Sequence, residues 1–412
     1  MTAAARRLLL VGTSYRFAPL ELRERLHVAP DECAAVAARL AGDGEAVVLS
    51  TCNRIEVYVA GEDLDAALAR VTAELSHRSG LRADELAAVL QVAEDEQASL
   101  HLFRVAAGLE SPVPGEPQIL GQVREAHACG STGPLLDRLF RHAVHAGRRV
   151  RSETALGDRP ASLGTAAAEL ARRRLDDLAG RRVLVVGAGR MGEAAVAGFA
   201  AAGAGEVVVA NRTTARATAL AARFGGRGIA LADVPVALPF VDAVVSSTRS
   251  PGYVLTAAQV AERRRPLLLV DLAVPRDLDP AIGDLPQCRL HHVDDLAKAV
   301  TAPPAPELAH AEAIAASEDG RFQEWRRSLE VVPAIIALRR RAESIRLAEL
   351  ARATHELEEL PERQRRLVET VTAQILNKLL HAPTVRAKAA AAGGDGSYAA
   401  VLEHLFALEE AA

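Results

Sequence analysis

The sequence predicts a multidomain α/β protein: an α+β domain first, a doubly wound parallel sheet in the middle and a helical domain last. Three observations carry this. Short strand-like and helix-like segments alternate up to about residue 155. Between Ser162 and Leu296, apolar strands alternate with helices, and a glycine-rich turn follows the first of those strands. After Ala302-Pro303-Pro304-Ala305-Pro306 the pattern is helical to the end of the chain. A length of 412 residues suits two or three domains, and the expected boundaries are 1–155, 156–301 and 302–412.

Arg7–Thr13 is an apolar run too short for a secretory signal and reads as the first strand. Ala18–Leu26 and Asp31–Leu40 have helical spacing. Ala46–Ser50 and Ile55–Ala60 are short strands around a turn at Cys52, and Leu64–Ser79 is a helix. Gly121–Glu153 reads as helical, with Arg138, Arg141, Arg148, Arg149 and Arg151 along it. These arginines form either a solvated face or a patch for RNA phosphates. Ala166–Leu178 is a helix leading into strand Arg182–Val186. Glu206–Ala210, Val241–Ser246 and Leu267–Asp271 are the strands that follow. Glu307–Glu330 and Pro333–Leu357 read as one long helix kinked at Pro333. Gln364–Leu380, a break at Gly393-Gly394, and Tyr398–Leu408 complete the chain. A long charged helix with short partners and no site-like residues suggests a dimerisation module.

The net charge of −4 offers no global basic field, so any RNA contact has to be local. Cys33, Cys52, Cys129 and Cys288 show no CxxC spacing and no Cys/His cluster. That fits a reducing cytoplasm and supplies no metal site. No apolar run is long enough to span a bilayer, so the expectation is a soluble cytoplasmic protein.

The turn Gly187-Ala188-Gly189-Arg190-Met191-Gly192 follows an apolar strand and opens an Ala-rich helix. This is the context in which GxGxxG marks a Rossmann-type dinucleotide site rather than a plain strand–helix turn. The second strand of such a site usually ends in Asp or Glu for the ribose hydroxyl. Here it ends in Ala210-Asn211-Arg212-Thr213. No carboxylate stands there to repel a 2′-phosphate, and Arg212 and Thr213 are able to bind one, so NADPH is expected over NADH. The alternative is that Arg212 is only a surface residue at a helix start.

Cys52 lies in Ser50-Thr51-Cys52-Asn53-Arg54, between two strands. The neighbouring guanidinium suggests a lowered thiol pKa and a nucleophile, and it offers a clamp for a carboxylate. The bland alternative is a small buried Cys capping a strand. A nucleophilic Cys in one domain and an NADPH site in the next together imply reduction of an activated acyl group through a thioester.

At this point the chain resembles the glutamyl-tRNA reductase family over nearly its whole length. The matching runs include Ser50–Arg54 with Glu56 and Tyr58, His101–Ser111, Gly115–Val123, Val150–Thr154, the glycine turn, Asp271–Asp277, Asp294–Leu296 and Leu376–Thr384. The resemblance implies attack by Cys52 on the ester of glutamyl-tRNA, loss of tRNA, and reduction of the thioester to glutamate-1-semialdehyde. This is the entry to 5-aminolevulinate and the tetrapyrroles. It implies substrate contacts from Thr51, Asn53, Arg54, Ser111, Glu116, Pro117, Gln118 and Gln122, with Glu116 assigned to the α-ammonium on charge alone. His101 matches a histidine important for activity, acting as acid/base or structurally, ahead of a helix. Gly187, Ala188, Gly189, Arg190, Met191, Gly192, Asn211, Arg212 and Thr213 would hold the cofactor. The resemblance further implies a homodimer through the C-terminal helices and a partner aminomutase.

Three departures stand out: Tyr15 and Phe17 in Ser14–Pro19, Pro112 and Pro114 in Ser111–Glu116, and His291-His292-Val293 where the family tends to have an aromatic. Two prolines in the substrate loop leave open a paralogue acting on another aminoacyl-tRNA or acyl thioester. A plain NADPH dehydrogenase leaves Cys52 and the flanking domains unexplained. A catalytically silent binding protein conflicts with the intact Cys52, Arg54, His101 and glycine set.

Overall fold

The structure, a computed structural model, describes residues 7–156, 162–296 and 303–408. The expected boundary at 301/302 lies outside the described residues. By internal packing the chain divides into two compact units, one from Arg7 to Ala316 and one from Ser317 onward.

The first part of the larger unit is built on strands β1 (Arg7–Ser14), β2 (Glu45–Ser50), β3 (Arg54–Gly61) and β4 (Gln91–Glu94). They form one antiparallel sheet in the order β2-β3-β1-β4. Helices α1 (Leu20–Leu26), α2 (Cys33–Ala41), α3 (Leu64–Ser79), α4 (Ala83–Ala87), α5 (Asp95–Ala106), α6 (Gln118–Cys129) and α7 (Pro134–Glu153) accompany it. α3 starts where Asp63 accepts from the Ala66 amide at 2.9 Å and stops at Gly80, which takes a left-handed conformation. On β3 the period of two separates faces: Ile55, Val57 and Val59 enter a core with Leu9, Val11, Val36 and Val71. The opposite face carries Arg54, Glu56 and Tyr58.

The helical stretch expected over Gly121–Glu153 consists of two helices, α6 and α7, because Gly130 to Gly133 break it and Pro134 opens the second. A buried carboxylate seats that opening. Glu45, 1% exposed, accepts from the Gly133, Leu135 and Leu136 amides at 2.9, 3.2 and 2.7 Å. Glu45→Ala leaves these donors without their acceptor and is expected to cost about 2–3 kcal/mol, read as a lower midpoint in urea unfolding.

The second part holds β5 (Arg182–Val186), β6 (Glu206–Asn211), β7 (Arg227–Ala230), β8 (Ala243–Ser246), β9 (Leu267–Asp271) and β10 (Cys288–His292). These six strands are parallel in the order β7-β6-β5-β8-β9-β10. The order reverses between β5 and β8, which is where ligands of such sheets bind. Helices α8 (Leu163–Arg174), α9 (Arg190–Ala201), α10 (Thr214–Ala222), α11 (Val234–Ala237), α12 (Ala257–Val260) and α13 (Val293–Leu296) complete it. Sequence reading missed β4, β7 and β10, edge strands of four or five residues too short for a periodic signal.

α14 (Ala305–Ser328), α15 (Val332–Arg352), α16 (Thr354–Glu358), α17 (Glu362–Ala392) and α18 (Ser397–Leu405) form the C-terminal part. The long helix expected to kink at Pro333 is instead broken at Leu329–Val331, and Pro333 lies in the first turn of α15, where its missing N–H costs nothing. α17 runs through Pro383, beyond its expected end at Leu380. Ala387 and Ala391, buried with Ile335, Leu338 and Leu402, reward continuing the helix past the proline. No described helix is long and apolar enough to cross a membrane.

Candidate active site

Cys52 stands at the tip of the β2–β3 hairpin. The Thr51 amide donates to the Arg54 carbonyl at 2.8 Å, and Thr51 Oγ1 accepts from the Asn53 and Arg54 amides at 3.1 and 3.2 Å. Tyr15, after β1, donates its amide to the Asn53 carbonyl at 2.8 Å. The turn is therefore fixed from within and from the neighbouring strand. Asn53 Oδ1 and Arg54 Nε, on the two residues that follow Cys52, are both buried without a hydrogen-bond partner.

Below the turn runs a buried charge network. Arg54 Nη1 donates to Glu56 Oε1 at 2.8 Å, and Arg54 Nη2 donates to the Glu110 carbonyl. Glu56 Oε1 also pairs with His101 Nε2 at 2.9 Å, and Glu56 Oε2 accepts from Tyr58 at 2.8 Å. Burial opposes the Glu56 charge, but Arg54, His101 and Tyr58 overcome it and hold the carboxyl down at about 2. His101 lies within α5 rather than ahead of a helix, and Glu56 holds its ring. The alternation Arg54, Glu56, Tyr58 on a strand was the legible signal for this network. Beside it, Arg16 and Arg104 hold Glu110 at 2.6 and 2.8 Å.

The thiol corrects a sequence expectation. Burial, then the Glu116 carboxylate, push Cys52 up to about 12, and Arg23 and Arg54 pull it down without prevailing. Two nearby cations do not offset desolvation. Glu116, 4% exposed, is itself raised by burial to about 7, with Arg54 and Arg151 acting the other way. Its loop keeps its shape despite the prolines. The Ser111 and Gly115 amides donate to the Gly108 carbonyl, and the Glu116 amide donates to the Val113 carbonyl. Pro112 and Pro114 fall between these donors, so the missing N–H groups remove no bond that the loop uses.

The cofactor turn has the required backbone. Gly187 takes φ +110°, and a Cβ on Gly192 would stand 1.9 Å from the Gly187 carbonyl oxygen. Gly189 begins α9 and has open space where a Cβ would be, as approach of a pyrophosphate requires. Asn211 Oδ1 accepts from the Ala188 amide at 3.4 Å, tying the end of β6 to the turn, while Arg212 and Thr213 are exposed. Asp277, buried, accepts from Ser246 Oγ at 2.7 Å and from the Thr248 amide at 2.6 Å, fixing the loop after β8.

A cavity of about 710 Å³ joins these parts. Thr51, Cys52 and Gln122 face it from one side, and Arg190, Arg249 and Val274 from the cofactor-binding edge. Arg190 pairs with Glu125 on α6 at 2.5 Å. Ser111, Glu116, Pro117 and Gln118 do not line it. Ser111 and Glu116 are buried, Gln118 is half-buried and Pro117 is exposed at the start of α6. Along α7, Arg141 pairs with Asp137, and Arg149 with Glu153, as on a solvated face. Among the described residues no group of three or more His, Cys, Asp or Glu is placed to hold a metal.

Comparison with known proteins gives three family matches. Residues 11–154 match glutamyl-tRNAGlu reductase, N-terminal domain; residues 169–299 match shikimate/quinate 5-dehydrogenase; residues 310–408 match glutamyl-tRNAGlu reductase, dimerisation domain. A glutamyl-tRNA reductase of Salinispora arenicola is 43% identical over 421 residues, covering 98% of this chain and 92% of the relative. One of Syntrophotalea carbinolica is 41% identical over 390 residues, covering 91% and 88%. The solved glutamyl-tRNA reductase of Methanopyrus kandleri covers 96% of this chain and 99% of its own, at 29% identity and a TM-score of 0.44.

Proposed function

The chain belongs to the glutamyl-tRNA reductase family, and from that premise we propose how its own residues divide the reaction. It is an oxidoreductase that reduces the glutamyl group of glutamyl-tRNA to glutamate-1-semialdehyde, at the head of 5-aminolevulinate and tetrapyrrole formation. The observation that carries the site assignment is the shared cavity: the Cys52 turn faces the carboxyl edge of the dinucleotide-binding sheet across it.

Cys52 Sγ attacks the ester carbon, the 3′ oxygen of tRNA leaves with the thiol proton, and a thioester remains. Thr51 holds the turn for this attack. Asn53 Oδ1 and Arg54 Nε, the two buried atoms without partners, supply an acceptor and a donor to the glutamyl group. Glu116 receives the α-ammonium. That pairing supplies the cation the carboxylate lacks, and it removes one of the charges holding the thiol neutral, so the substrate assists its own attack. His101 is oriented by Glu56 for proton transfer, Gln122 lines the cavity, and Ser111, Pro117 and Gln118 support its wall from outside it. When bound, the reduced nicotinamide supplies the hydride that takes the thioester carbon to the aldehyde level. Gly187, Ala188, Gly189, Arg190, Met191 and Gly192 hold its pyrophosphate at the start of α9, and Asn211, Arg212 and Thr213 hold its adenosine ribose.

The cofactor is NADPH, because the end of β6 carries Arg212 and no carboxylate. Arg212→Ala is expected to raise KM for NADPH about 10- to 100-fold and leave that for NADH within about twofold, measured by steady-state oxidation of each cofactor. Equal loss with both cofactors removes this assignment. The reading includes the boundaries 1–155, 156–301 and 302–412, a cytoplasmic location, a homodimer and transfer of the aldehyde to an aminomutase. Exposed Ile345, Leu347, Leu367, Val371 and Ile375 on α15 and α17 support the dimer. An added carbonyl trap that captures all the aldehyde in the presence of the aminomutase removes the transfer. Formation of aldehyde from glutamyl-tRNA and NADPH tests the whole reading; its absence from a folded protein overturns it.

A further inference from the structure

Arg23 is absent from every motif recognised in the sequence, yet it is 2% exposed and makes three separate bonds. Nη1 donates to the carbonyl of Cys52 itself, Nε to the Ala18 carbonyl at 3.3 Å, and Nη2 to Asp294 on α13. α1 therefore reaches from the nucleophile's own peptide group to the last helix of the cofactor-binding sheet. A second strap of opposite polarity crosses the same boundary. Arg276, two residues after the cavity-lining Val274, donates through its amide to Glu24 at 2.6 Å and through its guanidinium to Glu24 and Glu21 at 2.7 and 3.0 Å. Leu20 of α1 and Val113 of the substrate loop pack into the core formed by β5, β6, β8 and β9, with Cys52 and Val274 against it. Seven residues of helix thus hold the cofactor-binding layer at one end and the Cys52 turn at the other.

We propose that Arg23 is a positioning residue which, through Asp294, makes the seating of the cofactor-binding sheet set the orientation of Cys52, and so decides whether a bound acyl group is reduced or lost to water. This rests on the function proposed above. The two fates balance as follows. Water and the thioester give glutamate and the Cys52 thiol. NADPH, a proton and the thioester give the aldehyde, the thiol and NADP+. Arg23 touches no reacting atom; it acts through the peptide group of the residue that does. A buried cation with one partner on the cofactor side and one on the nucleophile side transmits a shift of either to the other.

Asp294→Asn tests this, because it keeps the shape and removes the charge that Arg23 holds. The first readout is the ratio of aldehyde to glutamate made from glutamyl-tRNA at saturating NADPH, which does not depend on how much enzyme is active. Coupling predicts a fall in that ratio of about tenfold or more, with tRNA release in the absence of cofactor kept within about threefold, since small misplacement of a reacting centre has effects of this size. A wild-type ratio in the variant overturns the proposal. The second readout needs no reaction: the rate at which iodoacetamide alkylates Cys52 with and without NADPH. Seating predicts that NADPH changes this rate by about threefold or more in the wild type and no longer does so in Asp294→Asn. An equal response in both overturns the proposal whatever the substrate proves to be. Wild type that makes no aldehyde overturns the function reading alone, and the alkylation result still decides this one. If Asp294→Asn does not fold, Asp294→Glu moves the charge by one methylene and is read in the same two ways.

Discussion

Cys52→Ser is expected to lower aldehyde formation from glutamyl-tRNA and NADPH by about 1,000-fold or more, because a hydroxyl in the same place is a far weaker nucleophile than a thiol. The decisive measurement is single turnover, following free tRNA and aldehyde separately. Both should vanish together, since tRNA leaves only when the acyl group moves to sulfur. Retained tRNA release with lost aldehyde would mean that water, not Cys52, takes the acyl group first. The wild-type pH profile follows from the environment of the thiol. Burial and Glu116 hold it neutral up to about 12, so the fraction ionised in the free protein grows with every step of pH through the neutral range. Alkylation of Cys52 without substrate should therefore rise steadily from pH 6 to pH 9. A plateau beginning near pH 7 would show a thiol already activated and would remove the role given to the substrate ammonium at Glu116.

The second large effect is at Glu56. Glu56→Gln is expected to destabilise the protein by about 3–5 kcal/mol, because Arg54 is left as a buried cation and Tyr58 and His101 lose a charged partner. Arg54 itself is 2% exposed and cannot find water instead. Denaturant unfolding measures this, and activity at temperatures where the variant is folded measures the rest. The sign of the pH effect is fixed by direction. Glu56 in the folded protein sits at about 2, below the unfolded value of about 4.3, so its contribution is fully present above the unfolded value and is lost as pH falls towards 2. The difference in stability between wild type and Glu56→Gln should accordingly shrink on acidification and stay constant from pH 6 to pH 8. A difference that persists undiminished at pH 3 would assign the loss to packing rather than charge.

What the sequence alone determined is the part written in short-range pattern. The strands at Arg182–Val186 and Leu267–Asp271 appear over the residues expected. The glycine turn, the acid-free end of β6 and the Cys52 hairpin were legible because each is a run of adjacent residues whose backbone and side-chain chemistry suffices to predict it. The errors were also local in kind. Pro333 was taken to kink one long helix where it begins α15, and the helix expected to end at Leu380 is carried on by packing to Ala392. Only the tertiary structure decided the state of the thiol, the partners of Arg54 and His101, and the presence of Arg23 behind the nucleophile. Desolvation is a sum over every segment packed around a group, and ion pairs join residues as far apart as the 271 positions between Arg23 and Asp294. No spacing in the chain encodes either quantity. The sequence placed a cysteine beside an arginine; burial, acting from all sides, decided that the thiol would wait for its substrate uncharged.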